Sequence, residues 1–441
     1  MKVFDRIEKE RLVDAWQKRM DPELATYGGR EAAFSPAVQA QISPYGTTGT
    51  GLMPQYYQLH SILCGSEYTG WMDETASISK TCYIGDWSWL SKWRIKGPDV
   101  IPCLERSTIN GYKKFPVGRG RHIISVTPDG KMIGDGIAFR EGEDQFLLTG
   151  GSMVAPGAMI QNEGFDVELE DLTAQLYNFH IQGPKSLELV NKLTGEDCSD
   201  LAFITFREVK IAGRDVRLYR GGMSGEIGFE IFGDSADGSY IWKAVVDAGE
   251  EFGIRQYGLR SLMLNHLQAF FPTIWVDFIP SVVPGAEALY RSPVDYGWGG
   301  LIDKTRDFPG KSVLVEEMAN PVRKSVTLEY NNEDCIGVFA SLFDTDQEPI
   351  RQFEMPVNVS ACASGEAGAL PILNREGKFI GLVTNRGYSY QFRKFLGLAV
   401  LPIGEAEIGN EVYIIHGDEG KRQTRIRATV AEVPYKKDAR K

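Results

Sequence analysis

No two cysteines in this chain are spaced as CxxC. The six present, Cys64, Cys82, Cys103, Cys198, Cys335 and Cys362, are scattered over 441 residues. That distribution argues against a disulfide framework or a zinc site and for free, buried thiols in a reducing compartment. Basic charge is short as well: 48 Lys and Arg stand against 59 Asp and Glu, a net charge of −11. Such a field disfavours general binding to nucleic acid or an anionic membrane, so an anionic ligand must be met by a local basic cluster. There is no long apolar run. The most apolar stretch, 270–290, contains Asp277, Glu287 and three prolines, which argues against a membrane span. The opening segment MKVFDRIEKERLVDAWQKRM is charged throughout and has no apolar signal core. The expectation is a cytoplasmic protein with neither membrane nor nucleic-acid partners. Internal repeats and low-complexity tracts are absent, and the glycine-rich KMIGDGI lacks the GxGxxG spacing and helix context of a dinucleotide site.

What is present points to more than one core. At 441 residues two or three packed domains are expected. Residues 1–50 read as an N-terminal extension, a charged helical segment followed by SPYGTTGTG. From Tyr83 to Leu148 the pattern is strand-rich, with WRIKG and DQFLLTG as strands and TPDGK as a turn. The period changes at QGPKSLELVNKLTG: Leu187, Val190 and Leu193 share a helical face, Pro184 takes a first helical position, and Gly195 can close the helix. EVKIAGRDVRLYRGG reads as a hairpin and GFEIFG as the next strand, followed by helices over YIWKAVVDAGEEFG and GLRSLMLNHLQAFF. After the loop RSPVDYGWGGLIDKTRDFPGK come short strands, among them KSVTLEY, GKFIGLVTN, FLGLAVL and NEVYIIHGDE, which predict a small β-barrel. The divisions are therefore 1–50, 51–319 and 320–441, the middle one holding two interwoven subdomains.

Several phrases resemble one family when taken in order: WRIKGPDV with STIN after it, VTPDGKMIGDGIAFREGEDQFLL, IQGPKSLELVNKLTG, GMSGEIGFEIFG, YGLRS, SPVDYGWGGLIDKTRDFPGK, and GKFIGLVTNRGYSY with LGLAVLP. The resemblance is to the glycine-cleavage T-protein (aminomethyltransferase) superfamily, and it covers roughly residues 67–435. SLFDT, RGYSY and VAEVPYKKDAR are more similar to the bacterial aryl O-demethylases acting on vanillate and syringate, with a related branch that opens the methylenedioxy bridge of lignans such as sesamin. The resemblance implies an α+β fold, a three-domain clover around a central channel that binds tetrahydrofolate, and a C-terminal β-barrel. It also implies a reaction: a methyl group passes from a methoxy-aromatic compound to N5 of tetrahydrofolate, leaving a phenol. A methylenedioxy substrate, yielding a catechol and 5,10-methylenetetrahydrofolate, is the close alternative. A non-catalytic folate-binding protein is the alternative of a different class. Oligomeric state is left open.

Such a reaction must align N5 with an aryl ether carbon and support the departing phenolate; no metal is demanded. In GFEIF, alternation puts Phe229 and Ile231 on one face and Glu230 on the other. The resemblance makes Glu230 the residue that grips the pterin's amino and ring N–H groups, a two-point bond suited to a carboxylate; a solvated strand glutamate is the plain alternative. Asn110 occupies the family's asparagine position, and Gly111 stands where the glycine-cleavage enzyme has its catalytic aspartate. That departure counts against an aminomethyl substrate. Asn110 can still orient a ligand, or simply be a turn asparagine.

His266 follows Leu262 and Met263 on one helical stripe, where it is either a general acid or a satisfied core histidine. The vanillate-type enzymes place a tyrosine acid earlier in this helix, where this chain has Leu262. Tyr56, Tyr57 and His60 form the cluster QYYQLH; Tyr57 or His60 is a second candidate for the proton donor, against a purely anchoring role. Trp87, Trp89, Phe270, Phe271 and Trp275 are candidates to stack on an aromatic substrate, with plain core packing as the alternative. Arg260 matches a family arginine. Arg386 and Tyr388, in TNRGYSY, are candidates for the folate's benzoyl-glutamate tail, because an arginine fork suits a carboxylate. Gly134 and Gly136 are candidates for a close backbone approach to the pterin. By the same resemblance, Gly151 and Ser152 fill the place of an arginine that holds the substrate carboxylate in the vanillate enzyme, which points to a neutral substrate or to a carboxylate held elsewhere.

Overall fold

A computed structural model describes residues 33–34, 36–37, 56–59, 62–357 and 368–440. Its centre is a six-stranded sheet in the order Phe206–Ile211, Arg214–Arg220, Gly228–Asp234, Leu176–Gln182, Tyr83–Asp86 and Arg255–Tyr257. All neighbours are antiparallel except the last pair. The strand LYNFHIQ shows how the sheet divides two environments. Tyr177, Phe179 and Ile181 point into an apolar core with Ile84, Leu218, Phe229 and Ile231, while Asn178, His180 and Gln182 take the opposite face by period-two alternation.

Helices Ser186–Thr194 and Gly238–Gly249 cover the apolar face, contributing Leu189, Val190, Ile241, Trp242 and Val245 to that core. Each fully buried large side chain contributes roughly 1.5–3 kcal/mol. Gly195 ends the first of these helices in the left-handed region at φ 71°, as its sequence predicts. Pro184 does not begin it. The first helical residue is Ser186, whose N–H bonds to Gly183 O at 2.9 Å, so Pro184 sits in the turn before the helix.

A five-stranded sheet runs in the order Arg119–Val126, Met132–Gly142, Gln145–Thr149, Lys92–Lys96 and Glu168–Asp171. Its strands interleave in sequence with those of the larger sheet. The C-terminal strands Arg323–Tyr330, Lys394–Pro402, Phe379–Ser389, Leu370–Leu373, Glu411–His416 and Thr424–Ala431 close into a barrel. Five α-helices have no counterpart in the sequence reading: Trp71–Lys80, Val100–Ser107, Val154–Glu163, Lys311–Ala319 and Asn332–Ala340. Val154–Glu163 carries Pro156 in its first turn, where a missing N–H costs little, and it lacks a polar cap.

Helix Leu259–Ala269 packs against the polar face of the six-stranded sheet on one side and the barrel strands Phe379–Ser389 and Lys394–Pro402 on the other. It was expected to bury a stripe. It buries Leu259 and every residue from Ser261 to Gln268, because it is sandwiched between the sheet and the barrel. Its contact with the sheet is close enough that a side chain at Gly85 would lie 2.7 Å from Leu262 Cδ2. No helix among the described residues is long and apolar enough to cross a membrane.

Candidate functional site

The polar face of the large sheet, roofed by helix Leu259–Ala269, is an unusual concentration of buried polar groups. Asn178, His180, Gln182, Ser224, Glu230, Asn265 and His266 are all buried there. Register sets His180 directly opposite Glu230, with Gly85 on its other side and Tyr219 beyond Glu230. Phe229 and Ile231 point to the apolar core and Glu230 to the polar face, as the alternation in GFEIF requires. Hydrogen bonds link the wall together. Ser224 N–H donates to Gln182 Oε1 at 3.0 Å, Gln182 Nε2 lies 3.2 Å from His180 Nδ1, and His180 Nε2 lies 3.4 Å from Glu230 Oε2. Asn178 donates to Glu230, and Asn265 Nδ2 donates to Tyr83 OH at 2.8 Å. Glu230 is 8% exposed, and burial pushes its carboxyl up to about 8. It is held ready to be a hydrogen-bond partner of something other than water.

Beside this wall stands a stack of rings. Trp87 stacks on two imidazoles, 5.3 Å from His180 at 24° and 5.2 Å from His266 at 4°. Trp89 is 5.0 Å from Trp87, and Phe271 is 5.3 Å from His266. The turn carrying both tryptophans is anchored by a residue that the sequence reading passed over. Lys92 is fully buried, and its Nζ donates to the carbonyls of Ser88 at 2.9 Å and Leu90 at 2.7 Å. Desolvation lowers its ammonium to about 7.

His266 reaches the site, as its place in the helix suggests, but both ring nitrogens are engaged. Nδ1 is 2.5 Å from Thr273 Oγ1 and Nε2 is 2.6 Å from Met223 Sδ. Burial lowers its imidazole to about 3, so it stands neutral. The arrangement suits a ring platform better than a general acid, which needs a proton to give.

Several other candidates are occupied elsewhere. Asn110 Nδ2 donates to His122 O and its Oδ1 accepts from Ile124 N–H, both at 2.9 Å, so the side chain pins the neighbouring strand. The space above Gly111 is filled: a Cβ there would lie 2.5 Å from Asp303 Oδ2. A Cβ at Gly134 would lie 2.4 Å from Gly151 O, and one at Gly136 1.9 Å from Thr149 O. These glycines admit the chain's own 149–151 turn and not a ligand, which corrects their expected role. Arg260 pairs with Glu67 and donates to Met355 O, a structural tie. Arg386 donates to Gly368 O and Thr384 O inside the barrel, and Tyr388 packs edge-on against Trp71 at 6.2 Å and Phe395 at 5.2 Å.

Phe270 turns toward Tyr296, 6.2 Å away, and Trp275 joins the cluster around Met159 and Val282. Both hold positive φ, 53° and 69°, a strained state for residues with a Cβ. Tyr57 sits on strand Tyr56–Leu59 opposite Cys64; its side chain and all of His60 lie outside the described residues. Sequence reasoning also missed His180, Asn178 and Gln182, although the alternation of LYNFHIQ would have placed all three on one face. It missed as well the pair His122–Asp135, at 2.7 Å.

Comparison with known proteins places the chain. The GCVT N-terminal domain matches residues 37–291. A sesamin methylene transferase from Sinomonas sp. (strain No.22) is 30% identical over 409 residues, covering 84% of this chain and 89% of that one. The chain belongs to the GCVT family. A syringate O-demethylase from Sphingobium sp. (strain NBRC 103272 / SYK-6) is 29% identical, covering 85% of this chain and 90% of that one. An aminomethyltransferase from Bacillus subtilis (strain 168) is 27% identical, with 82% and 90% covered. The solved glycine cleavage system aminomethyltransferase T from Bartonella henselae shares the fold, with a TM-score of 0.67 at 19% identity, over 88% of this chain and 95% of that one.

Tetrahydrofolate is the cofactor of the GCVT family. The polar wall fits a pterin on its own chemistry. Glu230 offers a carboxylate to paired N–H donors, and Trp87 Nε1, Asn178 Oδ1 and His180 Nε2 are buried without a hydrogen-bond partner. Buried polar atoms left in that state are costly unless a ligand or ordered water completes them.

Proposed function

We propose that the chain is a tetrahydrofolate-dependent transferase that removes the methyl group of a methoxy-aromatic compound and leaves a phenol. The observation that carries this reading is the buried Glu230 carboxylate set beside the stack of His180, Trp87 and His266. It joins a partner for a pterin to a flat surface for an aromatic ring. When bound, tetrahydrofolate supplies the nucleophilic nitrogen that accepts the carbon unit. Glu230 holds the pterin through its amino and ring N–H groups. Trp89, 5.0 Å from Trp87, offers a ring face to the aromatic substrate, and the stacked Trp87 and His266 back that surface. The proton for the departing oxygen is then assigned to the Tyr57/His60 segment. Shielding from water comes from the helix Leu259–Ala269 and the barrel packed behind it, which keeps hydrogen bonds in the site strong.

A second reading, methylene transfer from a methylenedioxy-aromatic compound, is favoured by one observation. Gly151, where the vanillate-type enzymes carry an arginine, packs against Asp135 O and Ile274, so this position itself supplies no cation for a substrate carboxylate. An uncharged, lignan-like substrate suits it. The test is anaerobic incubation with tetrahydrofolate and a panel of methoxy and methylenedioxy aromatics, followed by mass spectrometry of the folate. A 5-methyl product supports demethylation and a 5,10-methylene product supports the second reading. Binding without turnover of any panel member would leave a folate-binding protein and sink both.

A further inference from the structure

The orientation of the His180 ring can be deduced without seeing a hydrogen atom. Ser224 contributes a backbone N–H, which can only donate, so Gln182 Oε1 is the acceptor of their 3.0 Å bond. Gln182 therefore turns its NH2 group toward His180 Nδ1, 3.2 Å away, and Nδ1 must accept. In a neutral imidazole the proton then resides on Nε2. His180 is 1% exposed and burial holds its basicity well below the ordinary value of 6.5, so the ring is neutral. Its Nε2–H faces the Glu230 carboxylate at 3.4 Å, without the alignment of a finished hydrogen bond.

We propose that His180, oriented by Gln182, is a positioning residue that aims the Glu230 carboxylate at the pterin and sets the pH at which it takes the ligand. The proposal rests on the reading of Glu230 as the pterin's partner. Asn178 donates to Glu230, and His180, two residues on along the same strand, brings its Nε2–H to 3.4 Å from the same carboxylate, which leaves acceptor capacity for a ligand. A neutral donor favours the ionised carboxylate without adding a charge that would compete with the pterin. A ligand that brings paired N–H donors needs the ionised carboxylate, so its affinity rises as the pH rises through the value at which Glu230 loses its proton, near 8, and levels off above it.

The other titratable groups facing Glu230 do not confuse that profile. Tyr219 on the adjacent strand and Tyr83 across the sheet are pushed far above the ordinary tyrosine value by burial. His266 on the roofing helix is pushed down to about 3. Among them Glu230 alone loses its proton between pH 6 and 9.5; Lys92 behind the tryptophan turn also does so near 7, but it is common to the wild type and every variant, so the difference between their profiles reports Glu230.

The experiment is anaerobic calorimetric titration of the full chain with tetrahydrofolate across that range, for the wild type and for His180→Leu, His180→Gln, Gln182→Leu and Glu230→Gln. Steady-state kinetics accompany it where turnover is found. His180→Leu is expected to weaken binding at pH 7 by about tenfold to a hundredfold, the worth of a hydrogen bond to a charged group. It should also move the midpoint of the affinity profile upward by about one pH unit. The loss should fall on KM, with kcat within a few-fold of wild type. His180→Gln, which keeps an N–H donor, should restore most of the affinity and the midpoint, and Gln182→Leu should fall between. Wild-type affinity and midpoint in His180→Leu would overturn the proposal, as would a loss equal at every pH. If His180→Leu does not fold, His180→Gln and Gln182→Leu carry the same comparison. Glu230→Gln separates the two levels: retained binding in that variant defeats the reading of Glu230 as the pterin's partner, while lost binding with an indifferent His180→Leu defeats only the role of His180.

Discussion

Replacing Glu230 with glutamine should destroy ligand binding and, at alkaline pH, make the ligand-free protein more stable. The reason is linkage. A carboxyl whose folded value is raised from 4.5 to about 8 binds more protons in the native state than in the unfolded chain between those limits. Its stabilising contribution is complete below about pH 4.5 and is lost as the pH rises through 8. At about 1.36 kcal/mol per pH unit the full loss has a ceiling of about 5 kcal/mol, and rearrangement and water entry around the group bring the working figure to roughly 2 kcal/mol. Glutamine carries no proton to lose. Other buried groups also bend the stability curve: His266 makes the wild type more stable as the pH rises toward 6.5, and Lys92 does so above about 7. They are common to both proteins, so the difference between the two curves isolates Glu230. Urea unfolding at pH 5.5 and 8.5 should show near-equal stabilities at the lower pH and glutamine ahead by about 2 kcal/mol at the higher. A glutamine variant less stable by the same amount at both would mean that Glu230 is a charge-compensated structural residue, and the reasoning from burial would be wrong.

Three other substitutions probe the surroundings. His266→Phe keeps a flat ring beneath Trp87 and should leave kcat within about tenfold and its pH profile unaltered; a loss on the scale of a missing general acid, about a hundredfold or more, would restore His266 as the proton donor. Lys92→Met leaves the carbonyls of Ser88 and Leu90 without their buried donor and should cost about 1–3 kcal/mol. Altered near-ultraviolet circular dichroism would show that the tryptophan turn moves with it. Gly136→Ala would drive a Cβ to 1.9 Å from Thr149 O, so a fall in melting temperature of several degrees is expected, with no specific effect on ligand affinity in the folded fraction.

How much of this was legible in the sequence depended on the range of the signal. Gly195, the EVKIAGRDVRLYRGG hairpin and the barrel strands carry local patterns, and the structure has them where the patterns lie. Glu230 was legible because two neighbours, Phe229 and Ile231, declare the buried face of their strand. The role of Arg386 was not: its guanidinium turns to Gly368 O and Thr384 O, and nothing local in TNRGYSY distinguishes the inside of a barrel from its rim. Gly134 and Gly136 misled for a related reason. A glycine announces that something comes close, and only the packed 149–151 turn reveals that the neighbour is the chain itself.

His180 was missed because a single histidine in an apolar strand resembles an ordinary core residue. Its meaning comes from Glu230, fifty positions later, and from Trp87, more than ninety positions earlier. That separation bears on the chemistry. Four segments, around Trp87, His180, Glu230 and His266, must fold together before any of the buried polar atoms has its neighbour. Each of these side chains is expensive to bury alone, since an unpaired buried polar group costs about 1–3 kcal/mol. A chain selected only for stability would replace them with leucine or valine, as the opposite face of the same sheet does with Phe179, Ile181, Phe229 and Ile231. One sheet thus carries both outcomes, an apolar face that stabilises and a polar face that holds stability in reserve for a ligand. The predicted gain in stability of Glu230→Gln above pH 8 is the direct consequence of that division.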